Sequence, residues 1–269
     1  MKVSHAAYYD WLKRPARIIT AAELHLYRRM KQLFAESRES LGSRAMVKVL
    51  RKEGFNIGRY RVRRLMERLN LKVTQRQAYK VTTLRKQSHH VADNLVNQVF
   101  NPKAANQVWA GDVTYLRTHE GWLYLAIVMD LYSRSIIGWA MDKRMTVELV
   151  ERAMQMAIHL RSPSKGLIFH SDRGSQYTCN RFGRLLKKQG IKASMSGVGA
   201  CWDNAVVERF FGSLKYEWLL KVYHLTRQSM RQDVQEYIRY YNQKRLHSTN
   251  GNLSPVEFEM SQLKVSGWS

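Results

Sequence analysis

Three acidic residues stand where their neighbours make an acid unexpected. Asp112 lies within the apolar and aromatic run WAGDVTYL, Asp172 follows the run LIFHS at a Gly-containing loop, and Glu208 sits beside Phe210 and Phe211 in CWDNAVVERFFGSLKYEWL. Strand interiors disfavour Asp, and α/β sheets gather ligand groups at the carboxyl ends of their strands. Each acid alone has an ordinary explanation: a buried Asp satisfied by backbone amides, a turn residue, a surface Glu. Brought together, three carboxylates repel one another unless a cation fills the space between them. Carboxylate oxygens suit Mg²⁺ or Mn²⁺. Two such ions about 3.5–4 Å apart serve in-line phosphoryl displacement, one activating the nucleophile and the other stabilising the leaving oxygen. The expectation is a two-ion site on Asp112, Asp172 and Glu208 that cuts or joins nucleic acid.

The charge balance fits such a substrate. The chain has 269 residues, 45 Lys and Arg against 21 Asp and Glu, and a net charge of +24. That excess points to a polyanionic partner. Residues 1–100 hold 22 of the basic side chains and 7 of the acidic ones, so the first third is the more basic part. Cys179 and Cys201 have no paired spacing and His89 and His90 are adjacent, which argues against a zinc knuckle or a disulfide framework. No apolar run approaches a membrane span of about 18 residues, and the start MKVSHAAYYDWLKRP lacks a signal-peptide core. A cytoplasmic protein without a membrane partner is expected.

The elements that must position the acids are legible from periodicity. At about 100° per residue, Val207, Phe210, Phe211, Leu214 and Trp218 make one apolar stripe on a single helix over 201–219. Asn204, Glu208, Gly212 and Lys215 form a second column on its flank. QVWAGDVTYLRT, GWLYLAIVMDLYS and SIIGWAMDK predict a three-stranded antiparallel meander. Helix, strand, helix and strand follow in TVELVERAMQMAIHL, GLIFHSD, CNRFGRLLKKQG and IKASMS, and RQSMRQDVQEYIRYYNQKRLH is a closing helix. The result is an α/β layer fold with a mixed sheet. At the other end, residues 22–37 predict a helix with Leu24, Leu26, Tyr27, Met30, Leu33 and Phe34 inward. A second helix is capped by Ser43 and stopped at Gly54. A third carries Val62, Leu65, Met66 and Leu69 on its apolar face and Arg59, Arg61, Arg63 and Arg64 in its first turns. This matches helix-turn-helix geometry, in which the basic N-terminal end meets the major groove; a plain three-helix bundle with a solvated basic face explains the apolar spacing equally well. The domains expected are 1–72, helical and DNA-binding; 73–106, a linker basic in its first half; and 107–269, catalytic.

Thirty-five residues separate Asp172 from Glu208, and Lys215 follows Glu208 by seven. Together with LAIVMDLYSRSIIGWAM, FHSDRGSQYT, SMSGVGACWDNAVVERFFGSLKYE and YNQKRLHSTNGNLSPVEF, this spacing resembles the second-frame transposases of the large two-frame group of insertion sequences and, more distantly, retroviral integrases. The resemblance implies a ribonuclease-H-like catalytic domain with Asp112, Asp172 and Glu208 as its catalytic triad, and Lys215 against DNA near the reacting phosphate. Asp203 and Asn204 match a DN pair read as a helix cap. Asp130 is expected to be structural, and His170 and Ser171 to pack at a strand end. Gly111 stands where the family commonly has Thr, and Arg209 where Ser is frequent. The resemblance further implies DNA as partner, in terminal inverted repeats and target, a homo-oligomer on DNA, a bacterial nucleoid location and an upstream-frame segment as a partner. Two other readings keep the same residues: a DNA-binding regulator without catalysis, and a structure-specific nuclease of the same fold.

Overall fold

The computed structural model describes residues 4–13, 19–73, 92–96, 101–197 and 204–266, with side chains as far as 263. The chain divides into two compact units, Met1–Thr74 and Gln75–Ser269. The first unit contains α1 (His5–Lys13), α2 (Ala21–Glu36), α3 (Ser43–Lys52) and α4 (Arg59–Arg68). Thr20 caps α2, its side-chain oxygen accepting from the Glu23 amide at 3.2 Å. Leu26, Tyr27, Met30, Leu33 and Phe34 are buried as their period predicts, but Leu24 is 42% exposed. It lies ~120° around the helix from the centre of that stripe. The cap of α3 is Gly42 rather than Ser43, which is the first helical residue and makes no capping bond. The chain leaves α3 through Gly54 at φ 90°, with the Phe55 amide donating to Leu50 O, a left-handed exit that Gly adopts without penalty. Val62, Leu65 and Met66 of α4 share one core with Met30, Met46 and Leu50.

The second unit is built on a sheet in the order β3-β2-β1-β4-β5. β1 (Val108–Thr118), β2 (Gly121–Asp130) and β3 (Ile136–Asp142) form the antiparallel meander, and β4 (Ile168–Ser171) and β5 (Lys192–Met195) run parallel to β1. One face carries α5 (Val147–Arg161) and α7 (Asn180–Lys188), packed on Trp109, Val128, Ile137 and Phe169. The other carries α8 (Ala205–Ser213) and α9 (Arg227–Gln243), packed on Ala110, Leu116, Leu125 and Ile127. A single turn, α6 (Ser175–Thr178), follows β4, and α10 (Pro255–Ser266) ends the described chain. Residues 92–96, inside the stretch expected to be linker, are docked on β5: the Leu95 amide donates to Ser194 Oγ at 2.9 Å and Met195 N to Asp93 O at 3.4 Å. Residues 74–91, including His89 and His90, and 97–100 of that stretch lie outside the described residues.

The segment expected to be one helix from 201 to 219 is described from 204 onward and is helical there, but not α-helical throughout. After α8 the chain widens into a π turn over Leu214–Trp218 and then a 3₁₀ turn over Leu219–Lys221. Cys201 and Asp203 lie outside the described residues. The apolar stripe itself holds, since Val207, Phe210, Phe211, Leu214 and Trp218 are all buried. The widening coincides with tertiary anchors: Trp218 stacks on Tyr240 at 5.1 Å, and Glu217 takes a two-pronged bond from Arg245 at 2.8 and 2.7 Å. Among the described residues no helix is long and apolar enough to cross a membrane.

Candidate active site

The parallel pairing of β1 with β4 sets the site. Its last paired residues are Gly111 and Ser171, so the next residues are Asp112, within β1, and Asp172, just past the end of β4. Alternation along the pleat puts both on the side of the sheet that carries α8 and α9, in step with Ala110 and His170. Both are nearly buried, at 8% and 9% exposure. Each has one oxygen fixed by the backbone: Asp112 Oδ1 accepts from the Val113 amide at 2.8 Å and Asp172 Oδ1 from the Gly174 amide at 2.8 Å. Such bonds hold a carboxylate's orientation.

Glu208 stands in the first turn of α8, on the flank of the buried stripe, and is exposed. α8 packs on β1, so the glutamate belongs to the same face of the sheet as the two aspartates. The three are not gathered into one cage: among the described residues no group of three or more His, Cys, Asp or Glu is placed to hold a metal ion. Two buried, backbone-oriented carboxylates, one on β1 and one just past the adjacent β4, nevertheless offer the hard oxygen donors that suit a divalent cation. Asn204, expected as a cap, occupies the position before α8 but makes no capping bond, and its buried Oδ1 has no hydrogen-bond partner among the described residues.

Asp130, His170 and Ser171, expected to be structural, are each hydrogen-bonded within the fold. Asp130 is fully buried, accepting from the Asn106 amide at 2.9 Å and the Tyr132 amide at 3.0 Å. Burial pushes its carboxyl pKa up, against the lowering effect of those two bonds. His170 lies between Ser194 Oγ at 2.9 Å and Ser196 Oγ at 3.3 Å, and Ser171 Oγ donates to Asp172 O. Gly111 has a specific reason: a Cβ there would lie 2.5 Å from Phe169 Cζ. Lys215 is half-buried, its ammonium 5.0 Å from the centre of the Tyr115 ring. Tyr115 was not singled out by sequence. The signal available was its alternation with Arg117 on an otherwise apolar strand, opposite the buried Leu116. In the first unit Arg59, Arg61, Arg63 and Arg64 are all exposed on α4, with Arg61 3.7 Å from Glu23 and Arg64 over the Tyr60 ring.

Residues 102–201 and 189–255 each match a family described as integrase core domain, and residues 21–79 match one described as an HTH-like domain. The transposase InsF for insertion sequence IS3A of Escherichia coli (strain K12) is 38% identical over 266 residues, 98% of this chain and 92% of the relative. The chain belongs to the IS3-type insertion-sequence transposases. An insertion element IS600 uncharacterized 31 kDa protein of Shigella sonnei is 40% identical to this transposase over 257 residues, 95% of this chain and 94% of the relative. In a simian T-cell lymphotropic virus intasome in complex with PP2A regulatory subunit B56 gamma, one chain superposes with a TM-score of 0.52 at 15% identity. That match covers 86% of this chain and 74% of the other, a likeness of fold. The transposase is thus a polynucleotidyl transferase of DNA transposition with a ribonuclease-H-like integrase core.

Proposed function

We propose that Asp112, Asp172 and Glu208 are the catalytic carboxylates of this transposase and that its cofactor is a pair of Mg²⁺ or Mn²⁺ ions held by them. The observation that carries the reading is the Gly111–Ser171 register, which makes Asp112 and Asp172 neighbours with backbone-fixed oxygens. The place of Glu208 rests on the packing of α8 against β1 and on the 35-residue spacing from Asp172. When bound, the ions supply Lewis-acid activation of the nucleophile and charge stabilisation at the leaving oxygen. The protein's part is to orient the carboxylates, and its basic side chains position DNA.

Hydrolysis of a phosphodiester at the end of the element frees a 3′-OH. That hydroxyl then attacks a phosphodiester of the target, without a covalent protein intermediate. Lys215 contacts DNA near the reacting phosphate. Arg59, Arg61, Arg63 and Arg64, at the start of α4, contact the terminal inverted repeats through phosphates, so affinity depends steeply on salt. Two ends act together, so the active form is a homo-oligomer on DNA, working in the bacterial nucleoid. The domain limits that serve this reading are 1–72 for DNA binding and 107–269 for catalysis. The test is strand transfer of a labelled terminal-repeat oligonucleotide with Mg²⁺. Wild type cuts and joins, whereas Asp112→Asn and Glu208→Gln lose both by about a thousandfold or more, the rate equivalent of several kcal/mol, while still binding DNA. Equal activity of wild type and Glu208→Gln would refute the assignment; cutting without joining would indicate a nuclease.

A further inference from the structure

The outer part of β1 carries a second cluster, a few residues from Asp112 along the same strand. β4 pairs with β1 only over Val108–Gly111, so from Asp112 onward β1 has a strand neighbour on one side only among the described residues. Tyr115 and Arg117 leave this stretch on the same side of the pleat, and Trp122 of β2 pairs with Arg117. The Tyr115 and Trp122 rings meet edge to face, 5.3 Å apart at 88°. Lys215 lies over Tyr115 at 5.0 Å and Arg117 over Trp122 at 5.8 Å. Even so, Tyr115 and Trp122 remain 42% and 43% exposed. Around the rim, Arg227 donates to Trp122 O at 3.1 Å.

Resting on the DNA-joining reading given above, we propose that the Tyr115–Trp122 pair seats an unpaired DNA base beside the reacting strand end. Exposed rings interleaved with cations suit a base with its phosphate: the ring takes the base face, and the cations take the backbone charge. A base inside a duplex presents only its edges, so a ring platform selects a base that has left the stack. The distance is suitable. Three strand residues span about 10 Å, or about three base-pair steps at 3.4 Å, so the seat lies within a few nucleotides of the aspartates. Tyr115 projects from the opposite pleat side to Asp112, and Lys215 comes from the element after α8 to meet it. A strand end passing the open edge of β1 would therefore meet the carboxylates and the rings in succession.

The test uses the full chain without divalent metal, so that binding is read apart from cleavage. The probe is a duplex with a short unpaired 3′ overhang carrying 2-aminopurine at one position at a time, compared with the blunt duplex. Wild type is expected to quench 2-aminopurine at one overhang position and to bind the overhang duplex more tightly than the blunt one. Trp122→Ala and Tyr115→Leu should each lose the quench and weaken overhang binding about 5- to 150-fold, with blunt-duplex affinity unchanged, whereas Trp122→Phe keeps both. Having two separate ring variants covers the case in which one of them fails to fold. DNA bound with identical emission in wild type and both ring variants would overturn the proposal while leaving the catalytic reading intact. Absence of any DNA binding by wild type would overturn both.

Discussion

Gly111 and His247 show how much a single position decides. At Gly111 an added methyl group would be driven into Phe169, a buried ring already in contact with Tyr177 and Phe182. Gly111→Ala should cost about 1–3 kcal/mol, as overpacking in a filled core does, and Phe169→Leu in the same chain should recover part of it in urea denaturation. His247 is buried against Tyr241 at 4.6 Å. Burial, reinforced by the Arg245 charge, lowers its pKa from 6.5 to about 3. Between those limits the unfolded chain binds the proton more readily, so stability is complete above the unfolded value and is lost as pH falls. The expected slope is about 1.4 kcal/mol per unit. His247→Phe should flatten that part of the curve, measured by denaturation across the acid range. Residue types alone located Asp112, Asp172 and Asp130, because an acid in an apolar run is conspicuous. They were silent on Tyr115 and Trp122, because aromatic residues in a strand are ordinary.

At the scale of elements, the meander, the two parallel strands and the core-facing stripes were readable because period and composition agree over five or more residues. What escaped was decided by distant parts of the chain. The π turn over Leu214–Trp218 has no local signature, since its anchors, Tyr240 and Arg245, belong to α9 and its exit. Leu24 was misplaced because it borders the apolar stripe of α2 without belonging to it, and Ser43 because Gly42 already stood in the extended cap position. The four-residue α6 was too short to show a period. The Glu217–Arg245 pair is the element-level joint most open to test. Arg245 is a raised-pKa guanidinium despite burial, which acts to lower it, because Glu217 bonds it directly. Glu217→Gln should destabilise the second unit by roughly 1–3 kcal/mol, less than a fully buried pair because both side chains keep about a fifth of their exposure. Circular dichroism during chemical denaturation measures this, and an unchanged midpoint would mean the joint is ornamental.

For the whole molecule, the chain carries separate hydrophobic cores in its two compact units, one around Met30, Met46 and Leu50 and the others on the two faces of the sheet. Calorimetry should therefore resolve two transitions. Leu50→Ala, at a fully buried position, should lower only the one belonging to the helical unit, by an amount corresponding to about 2–5 kcal/mol; a shift of both together would show that the units unfold as one. Membership of a DNA-acting family was legible from charge and motif spacing. Docking of residues 92–96 on β5 was not, because a five-residue segment, with Val96 buried and Ala92 packed on the core, is too short to show a period.

The β1–β4 register also sets an order of assembly. The meander brings β1, β2 and β3 together through turns of a few residues, whereas Gly111 meets Ser171 only after α5 has been traversed. Short loop closures are quicker than long ones, so Asp112 is held in a formed hairpin before Asp172 arrives beside it. Pulse-labelled amide exchange during refolding would detect this as protection of β1 and β2 ahead of β4. A chain still in production or half refolded then possesses one carboxylate of the pair but not the pair, so on the assignment proposed above its site stays incomplete until the sheet is closed.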